Sequence, residues 1–338
     1  MTMPRPFTTS SRSLSPLLLL AVVLCLLLPT AQASLGDRLP EFRQCVHVCH
    51  RENCDPNNNP TPIPFIHRLL LWTCPQECDY TCQHIITEKR LADGQHITQF
   101  HGKWPFVRAL GMQEPFSVAF SLGNFFAHRA GLSRLRDRVP ASHPMRHYYV
   151  LFSYFGMASW IASTIFHTRD FLWTEQLDYF AAGASVLYGM YYSPVRVFRL
   201  DRQTPHRKSI LRVWTVFCCA LYVGHVAYLK LWRWNYTYNM TANMVVGMVH
   251  NVLWSYFSWK MWRETRQSWA IWPGVLVGWI MLVMSLELLD FPPLFGAIDA
   301  HSLWHLGTIG PTILWYNFMI KDSLEAMAKA TKDKDIKA

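Results

Sequence analysis

Charged residues are scarce in this sequence of 338 residues. Asp, Glu, Lys and Arg make up only 16% of it, whereas hydrophobic residues make up 51% and aromatic residues 14%. Soluble globular proteins carry about 25% charged residues, so the composition argues against a soluble protein and for a membrane protein with polar loops. The sequence also has no internal repeat and no dinucleotide-binding or P-loop signature, so nothing in it indicates a nucleotide-dependent enzyme.

Acidic residues are fewer than basic ones, 22 against 32, which gives a net charge of +10. The basic residues stand in short clusters between apolar segments. Clusters at such places set the orientation of membrane helices. The positive charge therefore does not indicate nucleic-acid binding.

The N-terminus has the three parts of a secretory signal. Arg5 and Arg12 precede an apolar core over residues 17–28, and Ala31-Gln32-Ala33 offers a small-residue cleavage site. The core is short for an uncleaved anchor helix, which needs about 20 apolar residues. We therefore expect a signal peptide over 1–33 and a lumenal start for the chain from Ser34.

Residues 34–103 form a polar segment that is rich in cysteine. After a signal peptide, an even number of cysteines in a small segment predicts disulfides, here three, although six cysteines allow fifteen pairings. A zinc ribbon is the alternative, but such sites usually contain C-x2-C pairs. The segment holds six of the nine cysteines: Cys45, Cys49, Cys54, Cys74, Cys78 and Cys82.

Seven apolar segments follow and predict a transmembrane domain over 104–320. Each approaches the length of about 20 residues that crosses a bilayer as a helix. The first is the least regular, because polar residues interrupt it. We therefore expect an all-α membrane protein, a seven-helix bundle behind a small disulfide-rich lumenal domain. The segments are approximately 106–127, 148–166, 177–198, 213–231, 242–262, 271–289 and 303–320.

Loop charge orients this bundle. The first, third and fifth connections are rich in Arg and Lys, whereas the opposite set holds only Arg169, Lys230 and Arg233. The positive-inside rule places the rich loops in the cytosol, with the N-terminal domain in the lumen and the tail, 321–338, in the cytosol. Asn235 and Asn239 then begin lumenal N-glycosylation sequons.

Several polar residues fall at the lumenal ends of the predicted helices. His301 and His305 are four residues apart at the start of helix seven, as are Ser163 and His167 at the end of helix two, and Asp178 opens helix three. Residues four apart share a helix face. Three imidazoles with one open position are the layout of a catalytic zinc site.

Each of these features also has a structural interpretation. The H-x3-H pair can be an interhelical contact, and Ser163 can bond its own backbone. Glu287 and Asp290 at the end of helix six can cap that helix, and His225 and His250 are interpreted as helix–helix hydrogen-bond partners. The hypothesis of a metal site depends on the whole set at one membrane level, where ionisable groups are costly.

The pattern of S-x3-H, then Asp eleven residues on, then H-x3-H in the last helix resembles the CREST superfamily of seven-helix membrane hydrolases. That superfamily includes alkaline ceramidases and adiponectin-type receptors. The segments 99–106 (QFHGKWPF), 111–115 (GMQEP) and 289–293 (LDFPP) are similar to those of the post-GPI-attachment-to-proteins factor three family. The resemblance covers roughly residues 45–322.

The resemblance implies an enzyme of the endoplasmic reticulum or Golgi membrane that remodels glycosylphosphatidylinositol (GPI) anchors. Such an enzyme removes the sn-2 acyl chain of the inositol phospholipid of GPI-anchored proteins, a phospholipase A2-type reaction. It further implies that His167, His301 and His305 bind zinc, with Ser163 and Asp178 beside the metal. The alternatives are a ceramidase-like amide hydrolase and a non-catalytic lumenal folding factor or receptor with structural zinc.

Overall fold

A computed structural model of the chain describes residues 34–55, 61–202 and 204–335. The expected signal peptide, 1–33, lies outside the described residues. Within the described part, all regular structure is helical and β-pairing is limited to isolated bridges. The prediction of an all-α protein is confirmed.

The cysteine-rich segment forms a small helical unit. It contains α1 (Leu35–Arg38), α2 (Pro40–Asn53), α3 (Phe65–Leu69) and α4 (Cys74–Ala92). Phe42 of α2 and Ile86 of α4 are buried, and Phe100, from the segment after α4, packs with them. This core is too small to stabilise the unit alone, which is the situation in which disulfides are used.

Three disulfides link α2 to the start and middle of α4. The pairs are Cys45–Cys82, Cys49–Cys78 and Cys54–Cys74. Cys45 and Cys49 are four apart on one face of α2, as are Cys78 and Cys82 on α4; because the two helices run antiparallel, the bonds are nested, and Cys54, directly after α2, reaches Cys74 at the start of α4. In the chain-entropy description, each bond stabilises the unit by about 3–4 kcal/mol. The expected three disulfides are confirmed.

Seven longer helices, joined by loops, follow in the described part of the chain. Three of them are long and apolar enough to cross a membrane: Arg146–Thr168, Pro205–Trp232 and Ser268–Glu287. The second of these ends with a π-helical turn at Tyr228–Trp232, and the third begins with a 3-10 turn at Ser268–Ile271. The seven are α5 (Pro115–Arg138), α6 (Arg146–Thr168), α7 (Leu172–Val197), α8 (Pro205–Ala227), α9 (Tyr236–Thr265), α10 (Trp272–Leu289) and α11 (Ala300–Asp335).

Each predicted apolar segment overlaps one of these helices, but the first begins later than expected. Helix α5 starts at Pro115, not near residue 106, and the apolar residues before it lie in a loop. Val107 of that loop donates its backbone N–H to Gly296 O at 2.8 Å. Of the apolar residues in this stretch, Phe106 is buried, whereas Val107 and Leu110 are exposed. A count of seven membrane crossings stays a prediction.

Close helix packing brings α5, α6 and α11 together at the centre of the bundle. A Cβ atom at Gly131 would lie 2.3 Å from the Tyr316 ring, and one at Gly156 would lie 2.3 Å from the His128 ring. Small residues at such positions let helix backbones approach, as is common in membrane proteins. Both glycines are thus required for the packing that sets the position of α11 against α5 and α6.

The end of the bundle near the C-terminus contains a buried ion pair. Arg196 Nε of α7 donates to Asp322 Oδ2 of α11 at 2.6 Å, and the Tyr149 hydroxyl of α6 donates to the same carboxylate. Asp322 is buried. Removing either partner would leave a buried charge unpaired, which costs several kcal/mol, so the pair fixes α6, α7 and α11 at the end opposite the histidines.

Candidate metal centre

Helix α11 begins at a capped turn that places its two histidines. Asp299 Oδ1 accepts from the Ser302 backbone N–H at 2.8 Å, and Ser302 Oγ accepts from the Asp299 N–H at 3.0 Å. These bonds satisfy N–H groups that a helix start leaves without partners. His301 therefore lies in the first turn of α11 and His305 one turn later.

Helix α6 ends where α5 begins, and backbone bonds join the two. The Glu114 N–H donates to His167 O at 3.0 Å, and the Gln113 N–H donates to Thr168 O at 3.1 Å. These bonds satisfy carbonyls of the last turn of α6. They hold Glu114 beside His167 although 53 residues separate the two in sequence.

The three predicted ligands His167, His301 and His305 meet between α6 and α11. One ring nitrogen from each lies within 4.8 Å of the others. His167 Nε2 and His301 Nε2 are 3.4 Å apart, and the His301 and His305 rings are 4.5 Å apart between centroids. Among the described residues, the other group with this geometry consists of Cys54, Cys74 and Cys78, which are already bound in disulfides.

The second ring nitrogen of each histidine has a partner of its own. His167 Nδ1 is 2.6 Å from Glu114 Oε2, and His301 Nδ1 is 2.8 Å from Glu287 Oε2. His305 Nδ1 is 3.0 Å from Ser121 Oγ. Partners of this kind orient metal-binding imidazoles and fix their tautomers.

The hydrogen-bond partners of the histidines indicate whether their free ring nitrogens can bind a metal ion. A carboxylate accepts, so His167 and His301 each donate from Nδ1; when both rings are neutral, their Nε2 lone pairs face each other. Two lone pairs that face each other at 3.4 Å repel unless a cation or a proton lies between them. Three neutral imidazoles suit Zn²⁺, so the residues present fit the ion.

Lys103 extends this network toward the cysteine-rich unit. Its Nζ lies 2.7 Å from Glu114 Oε1 and 2.9 Å from Asp170 Oδ2. Burial alone would lower the pKa of Lys103, but Glu114 and Asp170 outweigh burial and raise it. The lysine is therefore charged, and it keeps the buried Glu114 ionised as an acceptor for His167.

Ser163 reaches the histidines through a second hydroxyl. Its Oγ lies 2.9 Å from Ser121 Oγ, and Ser121 contacts His305. Ser163 and Ser121 are both buried. Asn124 also holds this part of α11, since its Nδ2 donates to His305 O at 2.8 Å.

Asp178 of α7 is half-buried. It interacts electrostatically with His167 and His301 but makes no hydrogen bond within the described part of the chain. The His301 side chain is 35% exposed, whereas that of His167 is 3% exposed. A reactant would therefore reach the histidines from the side of His301.

Sequence reasoning missed Glu114, Ser121 and Lys103 as parts of the site. Lys103 and Glu114 belong to the segments that carried the family resemblance, which was the available signal for them; Ser121 had none. Glu287 lies beside His301, whereas Asp290 lies elsewhere: it accepts from Gln99 Nε2 at 2.9 Å and Trp104 Nε1 at 2.8 Å. Asp290 thereby joins the end of α10 to the segment after α4.

Comparison with known proteins gives consistent similarity over most of the chain. Residues 64–323 match the model of the Per1-like family. The chain is 39% identical over 300 residues to the Protein PER1 homolog of Schizosaccharomyces pombe, covering 88% of this chain and 90% of that protein.

Vertebrate relatives are similar to the same extent. The chain is 41% identical over 310 residues to the GPI-specific phospholipase A2-like PGAP3 of Xenopus laevis, covering 90% of this chain and 94% of that protein. For the Homo sapiens protein of the same name, the identity is 39% over 307 residues, with 90% and 93% covered.

Proposed function

This chain belongs to the Per1-like family, and on that premise we propose that it is a membrane hydrolase that remodels GPI anchors. The reaction is a phospholipase A2-type cleavage of the sn-2 acyl ester of the inositol phospholipid. The relatives named GPI-specific phospholipase A2-like PGAP3 support the substrate class. The observation that carries the chemistry is the convergence of three imidazoles, each with its second nitrogen engaged.

We propose that His167, His301 and His305 hold zinc. Bound zinc supplies Lewis-acid polarisation of an ester carbonyl and lowers the pKa of water toward about 7. Glu114 and Glu287 hold two of the imidazoles in the tautomer that leaves Nε2 free. The pair Ser121–Ser163 holds the third.

Asp178 is proposed as the general base, because it interacts electrostatically with His167 and His301 and has no hydrogen-bond partner in the described chain. It would take the proton of the attacking water. For Ser163 we propose a positioning role through Ser121, which contacts His305. Ser163→Ala should therefore slow turnover less than loss of the Asp178 carboxylate, measured as sn-2 chain release per folded molecule.

Orientation in the membrane decides whether a GPI anchor can reach the site. The proposal requires the cysteine-rich unit and the histidines to face the lumen of the endoplasmic reticulum or Golgi, with the C-terminus in the cytosol. In sealed microsomes, added protease should remove a tag placed after Ala338 and spare one placed after Ser34. The reverse pattern would place the histidines on the cytosolic face, away from GPI-anchored proteins.

Cells that lack this chain provide the test of the function itself. Mass spectrometry of their GPI anchors should show that the original sn-2 chain is retained, and the wild-type gene should restore its removal. Raised ceramide with normal anchors would indicate a ceramidase-like hydrolase instead. Unchanged anchors and unchanged ceramide would indicate a non-catalytic role.

A further inference from the structure

A cavity of about 380 Å³ lies between the cysteine-rich unit and the helices that carry the histidines. Its wall includes residues of α2 and α4, the segment from Phe100 to Gln113, and the connection between α6 and α7. Its volume falls within the range of about 300–1,000 Å³ that is typical of small-molecule sites. None of the proposed chemistry uses it.

The cavity borders the metal centre. Lys103 and Asp170 line it, and Lys103 contacts Glu114, the partner of His167. Arg169, which follows His167 by two residues, lines it as well. The cavity therefore lies next to the network of side chains that positions His167.

Aromatic rings and planar hydrogen-bonding groups dominate the wall. The Arg108 and Arg169 guanidinium carbons lie 3.2 and 3.6 Å from the centre of the Trp72 ring. The Tyr80 and Trp104 side chains and the Gln76 and Gln83 amides stand beside them. Stacking faces with amide and guanidinium donors suit sugar hydroxyls and a phosphate, and not an acyl chain.

Arg169 is a buried cation that forms no salt bridge in the described chain, although Asp170 and Glu77 interact with it electrostatically. Its guanidinium donates to Gln76 Oε1 at 2.7 Å and to the Asp170 backbone oxygen at 3.3 Å, whereas its Nε is buried with no partner. By contrast, Arg108 pairs with Glu77 at 2.9 Å. Burying a charge costs free energy unless an opposite charge contacts it. An anionic ligand beside Arg169 would therefore be stabilised.

We propose that this cavity binds the phosphoinositol glycan headgroup of the GPI anchor, with Arg169 facing its phosphate. The proposal rests on the function proposed above. It gives the cysteine-rich unit a role: the unit forms one wall of the substrate site. Specificity for a GPI anchor over an ordinary phospholipid then comes from the glycan, which this cavity would contact.

The test is direct binding of a headgroup without acyl chains. Purified full-length protein is titrated with the water-soluble glycerophosphoinositol glycan that remains after a GPI anchor is deacylated, and tryptophan fluorescence reports binding near Trp72 and Trp104. Wild-type protein should bind it saturably, and inorganic phosphate at the same concentration should not displace it. Arg169→Gln should weaken binding about tenfold or more, as expected for a lost hydrogen bond to a charged group.

Two further variants separate binding from folding. Gln83→Glu adds a negative charge to the wall from a half-buried position and should weaken binding several-fold, whereas Arg90→Gln, outside the cavity, should leave it unchanged. Thermal unfolding midpoints identify any variant that is merely unfolded. Absence of saturable binding, equal competition by phosphate, or full binding by both folded cavity variants would overturn the assignment.

The outcome is separable from that of the proposed hydrolysis. Headgroup binding without sn-2 chain release would retain the cavity assignment and reject the reaction. Chain release without headgroup binding would retain the reaction and reject the cavity assignment.

Discussion

Replacing His301 by alanine should abolish zinc retention and sn-2 chain release together. The substitution removes one of three proposed ligands and leaves His167 and His305, which cannot complete a catalytic zinc site. His301 is the informative position because its side chain is 35% exposed, so its loss removes less packing than loss of the other two. Zinc content and chain release are measured on the same preparation and normalised to folded protein.

A matched control distinguishes metal binding from a general effect of losing a membrane histidine. His225 lies in α8, half-buried beside the Tyr238 ring and apart from the cluster. His225→Ala should therefore keep both zinc and activity. If His301→Ala kept full activity per folded molecule, the three histidines would have only a structural role.

Replacing Asp178 by asparagine should keep the metal and slow chain release by about 10²–10⁴, the contribution typical of a general base. The amide has the same shape as the carboxylate but cannot accept the proton. Because Asp178 has no hydrogen-bond partner in the described chain, the change leaves no hydrogen bond there broken. Single-turnover rates at saturating substrate, with zinc content measured alongside, report the effect.

Glu175→Gln is the control for this substitution. Glu175 precedes Asp178 by three residues in α7, but it accepts from the Tyr236 hydroxyl at 2.6 Å, away from the histidines. It should lose little activity. Equal rates for Asp178→Asn and wild-type protein would exclude Asp178 as the base.

The meeting of His167, His301 and His305 was predictable from the sequence, because it depends on residue spacing within helices and on the order of apolar and charged segments. His301 and His305 are one turn apart on one helix, and loop charge predicts that the end of α6 lies at the same membrane level. His167 was therefore expected to lie close to His301 and His305. Apolar segments and loop charge thus predict which helix ends lie on the same side of a membrane, and so which polar residues can meet there.

The partners of the histidines could not be predicted in the same way. Glu114 reaches His167 from a loop before α5, and no periodicity relates the two residues. The apolar residues 106 and 107 also indicated a membrane span that begins in this loop, with Glu114 as one of the polar residues that interrupt it. The backbone bonds between Glu114 and His167, and between Gln113 and Thr168, show where the loop lies.

The disulfide pairing shows a similar limit. The sequence predicted three bonds but not their pairs, because pairing depends on how two helices face each other. Once α2 and α4 run antiparallel, Cys45 meets Cys82 and Cys49 meets Cys78. The cavity beside this unit was not predictable either, since it arises where separate segments meet.

If zinc held by the three histidines is required for the cleavage, activity should follow the zinc content when the metal is removed from the protein and then added back. Purified protein should contain about one zinc per chain, as expected for a single three-histidine site, and should release the sn-2 chain from a GPI anchor. A chelator should remove zinc and activity in parallel without unfolding the protein, and added zinc should restore both. Full chain release by folded protein that contains no metal would contradict the claim.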